Sequence, residues 1–305
     1  MMRRVKRPFW GKAVFMVLIL AVLFQAAPAS SQQNESTMLI GLIPEMNIFK
    51  QKQRFDLLGD YLSKRTGVKI RFTILSRYGN IVERFVQEKM DGAFFGSFTG
   101  ALAIQKLGVV PIARPVNLDN TSAYNGYIFV KRGNGITNAK EMKGRRMAFV
   151  DKATTAGYIF PLAYFRDNGI TTMEGYFSEY FFTGSHDAAI HAVLNGKADI
   201  GAAKHSVYDR VRKADPRVDK ELVILAQSQW VPSNGLCVRK DLDPVLRGKL
   251  KDALLNLDKD PDGKAVLEKF GALRFIDTTA GDYRPVHELV EKAGIDLAKY
   301  DYQNE

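Results

Sequence analysis

Two segments of the chain place hydroxyl and imidazole side chains at the start of a predicted helix. In the first, an apolar run at residues 147–150 leads to Thr154, Thr155, Ala156 and Gly157, after which a helical pattern begins. This order directs backbone N–H groups and two hydroxyls to one point, because the first N–H groups of a helix have no partner within it. The partial positive charge at a helix start favours an anion there.

The second segment has Ser185, His186 and Asp187 at the start of another predicted helix, which runs into an apolar strand. His186 would donate a hydrogen bond to an oxyanion; its alternative role is to cap the helix, although Ser185 and Asp187 can do this instead. The hydroxyls of Thr154 and Thr155 have the same alternative role, since any helix start benefits from a capping hydroxyl. Two polar helix starts indicate a binding pocket.

A catalytic role is the alternative for these residues. Thr155, His186 and Asp187 would then act as nucleophile, base and orienting acid. However, adjacent residues at a helix start point in different directions, so Asp187 is poorly placed to orient His186. The sequence contains no Gly-x-Ser-x-Gly elbow, His-Glu-x-x-His pair or Gly-Lys-Thr phosphate loop. We therefore expect a binding protein and not an enzyme, with no cofactor and no metal.

The N-terminal segment from Met1 to Ala29 has the pattern of a secretory signal peptide. Five basic residues precede an uncharged apolar run at residues 13–24, and Ala27-Pro28-Ala29 forms a small-x-small cleavage site before Ser30. This run is too short to span a bilayer core of about 30 Å, which disfavours a membrane anchor. The one cysteine, Cys237, is far from it. We expect a periplasmic protein, cleaved near Ala29 and Ser30, that is not a lipoprotein.

The composition excludes several partners and sites. The formal net charge is +11, but without the five basic residues of the signal the 44 lysines and arginines fall to 39, against 33 acidic residues. These charges are scattered and no basic run alternates with aromatic residues, so no nucleic-acid partner is expected. A lone Cys237 excludes an intramolecular disulfide and a multi-cysteine metal site.

Strand and helix patterns alternate along the mature chain. Strands are predicted at residues 38–44, 68–75, 92–96, 109–113 and 126–131, and helices at residues 54–66 and 80–89. This alternation predicts an α/β protein with largely parallel sheets.

The sequence also contains an internal similarity. The segment from Tyr78 to Asp91 matches that from His186 to Asp199: each has a polar aromatic residue, an amphipathic helix and Lys-x-Asp before an apolar strand. One explanation is the general likeness of helix–strand units. The other is two lobes of similar topology that face each other, with Tyr78 and His186 in corresponding places. Ligands of open α/β sheets bind beyond the carboxyl ends of strands, so two such lobes would form a cleft.

The same motifs carry a resemblance to a known family. The chain resembles the phosphonate/phosphite/phosphate-binding proteins of ABC importers in the run from Asp151 to Gly157, Pro161, the Gly-x-His-Asp at Gly184 and the Gly-x-x-Asp at Gly196. The resemblance extends over residues 39–293. It implies an α/β fold of the type II periplasmic-binding-protein kind, with two lobes, each a mixed, largely parallel sheet flanked by helices. The first lobe would comprise residues 38–123 plus 230–305, and the second lobe would comprise residues 125–228. The implied hinge crossings are at residues 122–126 and 227–232.

The resemblance implies a ligand site, and this chain departs from the family pattern in it. The implied ligand-binding residues are Ser97, Phe95, Tyr124, Thr154, Thr155, Ala156, Gly157, His186 and Asn234. Ala156 replaces a serine and so lacks one donor to a charged acceptor. Asn234 stands where relatives that bind aminophosphonates have an acidic residue beside the ligand amine, and an amide cannot form that ion pair. Phe95 replaces a frequent tyrosine and can only pack, whereas Ser97 and Tyr124 offer polar contacts or serve the fold.

The predicted function is capture of a small oxyanion, similar to phosphonate, phosphite or phosphate, by a monomeric receptor. Its expected partners are this anionic solute and an inner-membrane ABC permease, with a membrane sensor kinase as the alternative. The changes at Ala156 and Asn234 predict an oxyanion without an amine, or a less charged solute.

Overall fold

The computed structural model describes residues 36–45, 48–79, 81–300 and 302. The predicted signal peptide, from Met1 to Ala29, lies outside the described residues. Within these ranges, no helix has both the length and the apolar character needed to cross a membrane.

Strands and helices alternate along the described chain, as the sequence predicts. The strands are β1 Thr37–Leu42, β2 Lys69–Ile74, β3 Gly92–Phe95, β4 Val110–Asn117, β5 Ala123–Tyr124, β6 Gly126–Lys131, β7 Arg146–Phe149, β8 Glu179–Phe182, β9 Ile200–Lys204, β10 Leu222–Gln227, β11 Val231–Pro232, β12 Gly235–Val238 and β13 Ala272–Asp277. The α-helices are α1 Ile48–Thr66, α2 Ile81–Gln87, α3 Ser97–Leu107, α4 Phe160–Asp167, α5 His186–Leu194, α6 His205–Ala214, α7 Arg217–Glu221, α8 Pro244–Leu255, α9 Pro261–Phe270 and α10 Arg284–Lys292.

The strands form two main sheets. The first sheet has the order β13-β4-β12-β3-β1-β2, and the second has the order β10-β6-β9-β7-β8. In the first sheet β1, β2 and β3 are parallel, and β12 runs antiparallel to both of its neighbours. In the second sheet β7, β8 and β9 are parallel, and β6 runs antiparallel to β9 and β10. Both sheets are therefore mixed, with a parallel part of three strands.

The two sheets share one topology: β2-β1-β3-β12-β4 has the same order and directions as β8-β7-β9-β6-β10. The equivalent aspartates make one contact in common. The Asp91 carboxylate accepts the Leu39 N–H at 2.9 Å, and the Asp199 carboxylate accepts the Arg146 N–H at 2.9 Å. Each aspartate also pairs with an arginine at 3.0 Å, but the arginines are not equivalent, because Arg239 follows β12 and Arg146 begins β7. The internal similarity of the sequence therefore coincides with a repeated structural unit.

The amphipathic patterns bury the helices against the sheets. In α1, Phe55, Leu58 and Leu62 are buried at the spacing of one helix face. Phe55 meets Phe94 and Phe270 edge-on, with ring centroids 5.2 and 5.1 Å apart. This packing fixes the carboxyl ends of β1 and β3, where the chain turns into the loops that form the site.

The chain passes between the sheets at two places, and these passages pair with each other. β5 lies within the predicted crossing at residues 122–126, β11 lies within that at 227–232, and the two strands are antiparallel. The C-terminal residues form a further connection, because α10 packs against both α3 and α4. Tyr300 packs its ring on Phe98 and donates its hydroxyl to the Lys152 carbonyl at 3.0 Å. The C-terminal segment, which the sequence assigns to the first lobe alone, thus contacts elements of both sheets.

Candidate functional site

Loops and helix starts beyond the parallel strands of both sheets enclose a cavity of about 20 Å³. Ile43 follows β1, Gly96 follows β3, Ala153 follows β7 and Lys204 ends β9. The carboxyl ends of parallel strands are the usual ligand position in α/β proteins. Six of the predicted ligand-binding residues line the cavity: Ser97, Tyr124, Thr154, Thr155, His186 and Asn234.

Several helix N-termini converge on this cavity. α3 begins at Ser97, α5 begins at His186, and α6 begins directly after Lys204. One π-helical turn, Thr155–Ile159, precedes α4, and its first intrahelical bond runs from the Ile159 N–H to the Thr154 carbonyl at 3.1 Å. The N–H groups at the start of this turn precede that bond. Each helix start carries a partial positive charge, so these helix starts favour an anion in the cavity.

Hydroxyl groups join the two sheets inside the cavity. The Thr155 Oγ1 lies 2.8 Å from the Ser97 Oγ, which also bonds to the Tyr124 hydroxyl. Ser97 follows the first sheet and Thr155 follows the second, so this bond crosses between them. All three side chains are buried. A hydroxyl both donates and accepts, so each of these bonds can be exchanged for a bond to an incoming oxyanion.

Thr154 has a different role from Thr155. Its hydroxyl donates to the Asp151 carbonyl at 2.6 Å, and the Asp151 carboxylate accepts the Ala153 N–H at 2.8 Å. These bonds hold the loop between β7 and the π-helical turn in its conformation. Thr154 therefore lines the cavity, but its hydroxyl proton is used in the hydrogen bond to the Asp151 carbonyl.

His186 is a buried neutral donor. Its Nδ1 accepts the backbone N–H of Lys204 at 3.2 Å, which leaves the proton of the neutral ring on Nε2. Burial, together with the positive charge of Lys204, lowers the pKa of His186 to about 3. The capping role falls to Ser185, whose hydroxyl accepts the Ala188 N–H. The Nε2–H of His186 is thus available to an acceptor at neutral pH.

Tyr78 also lines the cavity, although the sequence did not mark it as a ligand-binding residue. Its buried hydroxyl has no hydrogen-bond partner among the described residues. Burial raises the pKa of this hydroxyl well above its usual value near 10. The Tyr78 ring meets the His186 ring edge-on, with centroids 6.2 Å apart. The internal similarity of the sequence paired these two positions and was the signal for Tyr78.

An ion pair that the sequence did not predict crosses the cavity. The Lys204 Nζ lies 3.3 Å from the Glu45 Oε1, and 4.3 Å from the centroid of the Tyr124 ring. The other carboxylate oxygen of Glu45 is 4.0 Å from Arg54. Burial raises the pKa of Glu45, but Lys204 and Arg54 lower it further than burial raises it, so the net shift is downward. Glu45 is therefore ionised.

Three predicted residues do not line the cavity. Phe95 is fully buried and packs against Phe85, with ring centroids 5.8 Å apart. The Ala156 side chain faces Gly126, where an added Cβ would lie 3.1 Å from the Ala156 Cβ. Gly157 packs so closely on Val150, the residue after β7, that any side chain at position 157 would collide with Val150. Ala156 and Gly157 can reach a ligand only through their backbone N–H groups.

The donor set is suited to an anion and not to a metal. Hydroxyls, an imidazole N–H and helix N-termini present hydrogen-bond donors, whereas metal ions need grouped carboxylates, imidazoles or thiolates. In the part of the chain that the structure describes, no three His, Cys, Asp or Glu side chains are grouped to hold a metal ion.

Comparison with known proteins identifies the family. Residues 40–283 match the family model described as "ABC transporter, phosphonate, periplasmic substrate-binding protein". The chain belongs to this family. It is therefore the periplasmic solute-binding component of an ABC transporter, and the predicted assignment to binding and not catalysis is confirmed.

Relatives and solved structures agree with this assignment. The chain is 26% identical over 289 residues to a probable ABC transporter phosphite binding protein of Prochlorococcus marinus (strain MIT 9301), covering 91% of this chain and 97% of the relative. It is 24% identical over 268 residues to a phosphonates-binding periplasmic protein of Escherichia coli (strain K12), covering 86% and 78%. The solved structure of PhnD1 from Prochlorococcus marinus in complex with methylphosphonate superposes with a TM-score of 0.73 at 25% identity, over 86% of this chain and 99% of that one. The predicted two-lobed periplasmic-binding-protein fold is confirmed.

Proposed function

We propose that the cavity between the two sheets captures a small oxyanion of the phosphonate, phosphite or phosphate type for delivery to an inner-membrane permease. The observation that carries this proposal is the set of buried donors that converge from both sheets. Ser97 and Tyr78 contribute hydroxyls from the first sheet, and Thr155 and His186 contribute donors from the second. The relative solved with methylphosphonate has the same fold, which supports this ligand class.

Each donor has a defined role in the proposed complex. The hydroxyls of Ser97 and Thr155 exchange their mutual bond for bonds to ligand oxygens. The Tyr78 hydroxyl, which has no partner among the described residues, donates from the first sheet, and the Nε2–H of His186 donates beside it from the second. The first N–H groups of the π-helical turn, including those of Ala156 and Gly157, add the positive end of a helix dipole. Bonds of this kind to a charged acceptor contribute about 1.5–3 kcal/mol each.

Ligand entry requires the two sheets to separate. A cavity of about 20 Å³ has room for roughly one water molecule, so it admits no phosphonate in its present arrangement. We propose that residues 38–123 and 230–305 form one lobe and residues 125–228 the other, and that residues 122–126 and 227–232 act as hinges. The C-terminal segment, which contacts both sides, then moves with the closure.

The ligand carries no amine in this proposal. Asn234 lines the cavity with an amide, and an amide cannot form the ion pair that an ammonium group needs. We further propose that the mature receptor begins at Ser30 after signal cleavage and acts as a monomer. Delivery to a permease is favoured over signalling to a sensor kinase because the family model describes ABC transporter components.

The test is a thermal-unfolding screen of the mature protein with phosphite, phosphate, methylphosphonate and sulfate, followed by titration calorimetry. A ligand at 100 times its dissociation constant stabilises the folded state by about 2.7 kcal/mol. We expect this stabilisation with at least one phosphorus oxyanion. A protein that folds but responds to none of the phosphorus compounds would refute the proposed function.

A further inference from the structure

The ion pair between Glu45 and Lys204 lines the cavity but is not part of the proposed donor set. The two residues lie on opposite sides, because Glu45 follows β1 of the first sheet and Lys204 ends β9 of the second. Both are among the lining residues, and their charged groups are 3.3 Å apart. Only 13% of the Lys204 side chain and 24% of the Glu45 side chain are exposed, so water screens this pair weakly.

Lys204 is held in place by three contacts. Its ammonium group lies beside Glu45 and 4.3 Å from the centroid of the Tyr124 ring, a cation–π distance. Its backbone N–H donates to the Nδ1 of His186. These contacts place the Lys204 charge at the cavity when the two sheets are together, so this charge contributes to selectivity.

The negative charge of the Glu45 carboxylate is already balanced by two protein cations. Lys204 is 3.3 Å from one of its oxygens and Arg54 is 4.0 Å from the other. Glu45 is the only acidic side chain among the described residues that line the cavity. A ligand ammonium group that approached Glu45 would meet two protein cations beside it, and like charges at this range repel.

We propose that Lys204 determines the charge class of the ligand: by pairing with Glu45 it withholds the cavity's carboxylate from a ligand amine, and it selects amine-free oxyanions over zwitterionic aminophosphonates. This inference rests on the proposed function and names the substrate class of the same site. Asn234 offers an amine only a neutral amide oxygen, and Lys204 makes the Glu45 carboxylate inaccessible.

The test compares the affinities for methylphosphonate and 2-aminoethylphosphonate by titration calorimetry. We expect the native protein to prefer methylphosphonate by at least about tenfold. Lys204→Met keeps the length of the side chain and removes its charge, so the Glu45 oxygen that Lys204 occupies can accept the ammonium group. This variant should reduce the preference about tenfold, mainly through tighter binding of the aminophosphonate.

Three further variants identify the cause. Lys204→Arg retains the charge and should retain the preference. The double variant Lys204→Met with Glu45→Gln should lose the gain in aminophosphonate affinity, because the carboxylate charge is then absent. Glu45→Gln alone leaves the Lys204 charge unpaired and should increase the preference for methylphosphonate. This variant provides a second test of the inference if Lys204→Met does not fold.

The outcomes separate the inference from the proposed function. A native protein that binds neither phosphonate nor any inorganic phosphorus oxyanion would overturn both. A Lys204→Met variant that binds methylphosphonate with an unchanged preference would overturn the inference and leave the function intact. The same holds if Glu45→Gln leaves the preference unaltered.

Discussion

Replacement of Thr155 by valine isolates the hydroxyl that joins the two sheets. Valine has nearly the same shape as threonine but cannot bond to Ser97, whose Oγ lies 2.8 Å from the Thr155 Oγ1. In the proposed complex this hydroxyl donates to a charged oxygen, and loss of such a bond costs about 1.5–3 kcal/mol. Thr155→Val should therefore weaken methylphosphonate binding by roughly 10- to 150-fold in titration calorimetry.

The free protein should respond much less to this change. The bond between two neutral hydroxyls contributes about 0.5–1.5 kcal/mol, and Ser97 keeps its bond to Tyr124. Urea unfolding should show a loss of stability in this range.

Thr66→Val is the matched control. Thr66 is 4% exposed, close to the 3% of Thr155, and its hydroxyl donates to the Leu62 carbonyl at 2.8 Å at the end of α1, away from the cavity. It should lose similar stability but no affinity. Equal affinities of the two variants for methylphosphonate would refute the role given to Thr155.

Three further predictions concern protonation, charge and reactivity. The His186 pKa of about 3 lies below its unfolded value of 6.5, so the stability from this group is present above pH 6.5 and is lost as the pH falls towards 3. At pH 5 the loss is about 2 kcal/mol. The variant His186→Asn should remove this part of the pH dependence, as urea unfolding at pH 7 and pH 5 can measure. Asn234→Asp should shift the ratio of the affinities for 2-aminoethylphosphonate and methylphosphonate towards 2-aminoethylphosphonate by about tenfold, because a carboxylate can pair with the ammonium group. Titration calorimetry can measure this ratio. An unchanged ratio would place the ligand away from Asn234. Burial raises the pKa of the Cys237 thiol to about 12, so a thiol reagent at pH 8 should label it only after urea unfolding, and rapid labelling of the folded protein would contradict its buried position.

The sequence predicts best those features whose signal is local. Strand patterns identified β6 at residues 126–131 and placed β1, β2 and β3 within one or two residues of their observed bounds. The helix starts at Thr155 and His186 were predicted because hydroxyl, glycine and imidazole residues preceded an amphipathic pattern. Local order along the chain carries this information directly.

Side-chain direction at the helix start was less predictable. Successive residues of a helical turn point in different directions, so Thr155 faces the cavity while Ala156 faces Gly126 of β6. Phe95 ends a strand that is buried on both faces, so its ring packs in the core and not in the cavity. A motif marks the segment, but the packing of the segment decides which side chains reach the ligand.

The ion pair of Glu45 and Lys204 had no local signal at all. The two residues are 159 positions apart and belong to different sheets. Their meeting depends on how the carboxyl ends of β1 and β9 face each other, which only the assembled fold determines. A lysine at the end of an apolar strand is otherwise typical of a solvated strand end.

The cross-sheet contacts explain why charge should decide which solutes bind. In the present arrangement Ser97 and Thr155 bond to each other, so a ligand gains only the difference between its own bonds and the bond that it replaces. At these two hydroxyls a neutral solute exchanges one neutral bond for another and gains almost nothing. A charged oxyanion exchanges a bond of about 0.5–1.5 kcal/mol for one of about 1.5–3 kcal/mol at each hydroxyl. It also engages the Nε2–H of His186 and the Tyr78 hydroxyl, which no described residue bonds. The less charged solute that the sequence left open is therefore disfavoured, because it offers no gain at the contacts that hold the two sheets together.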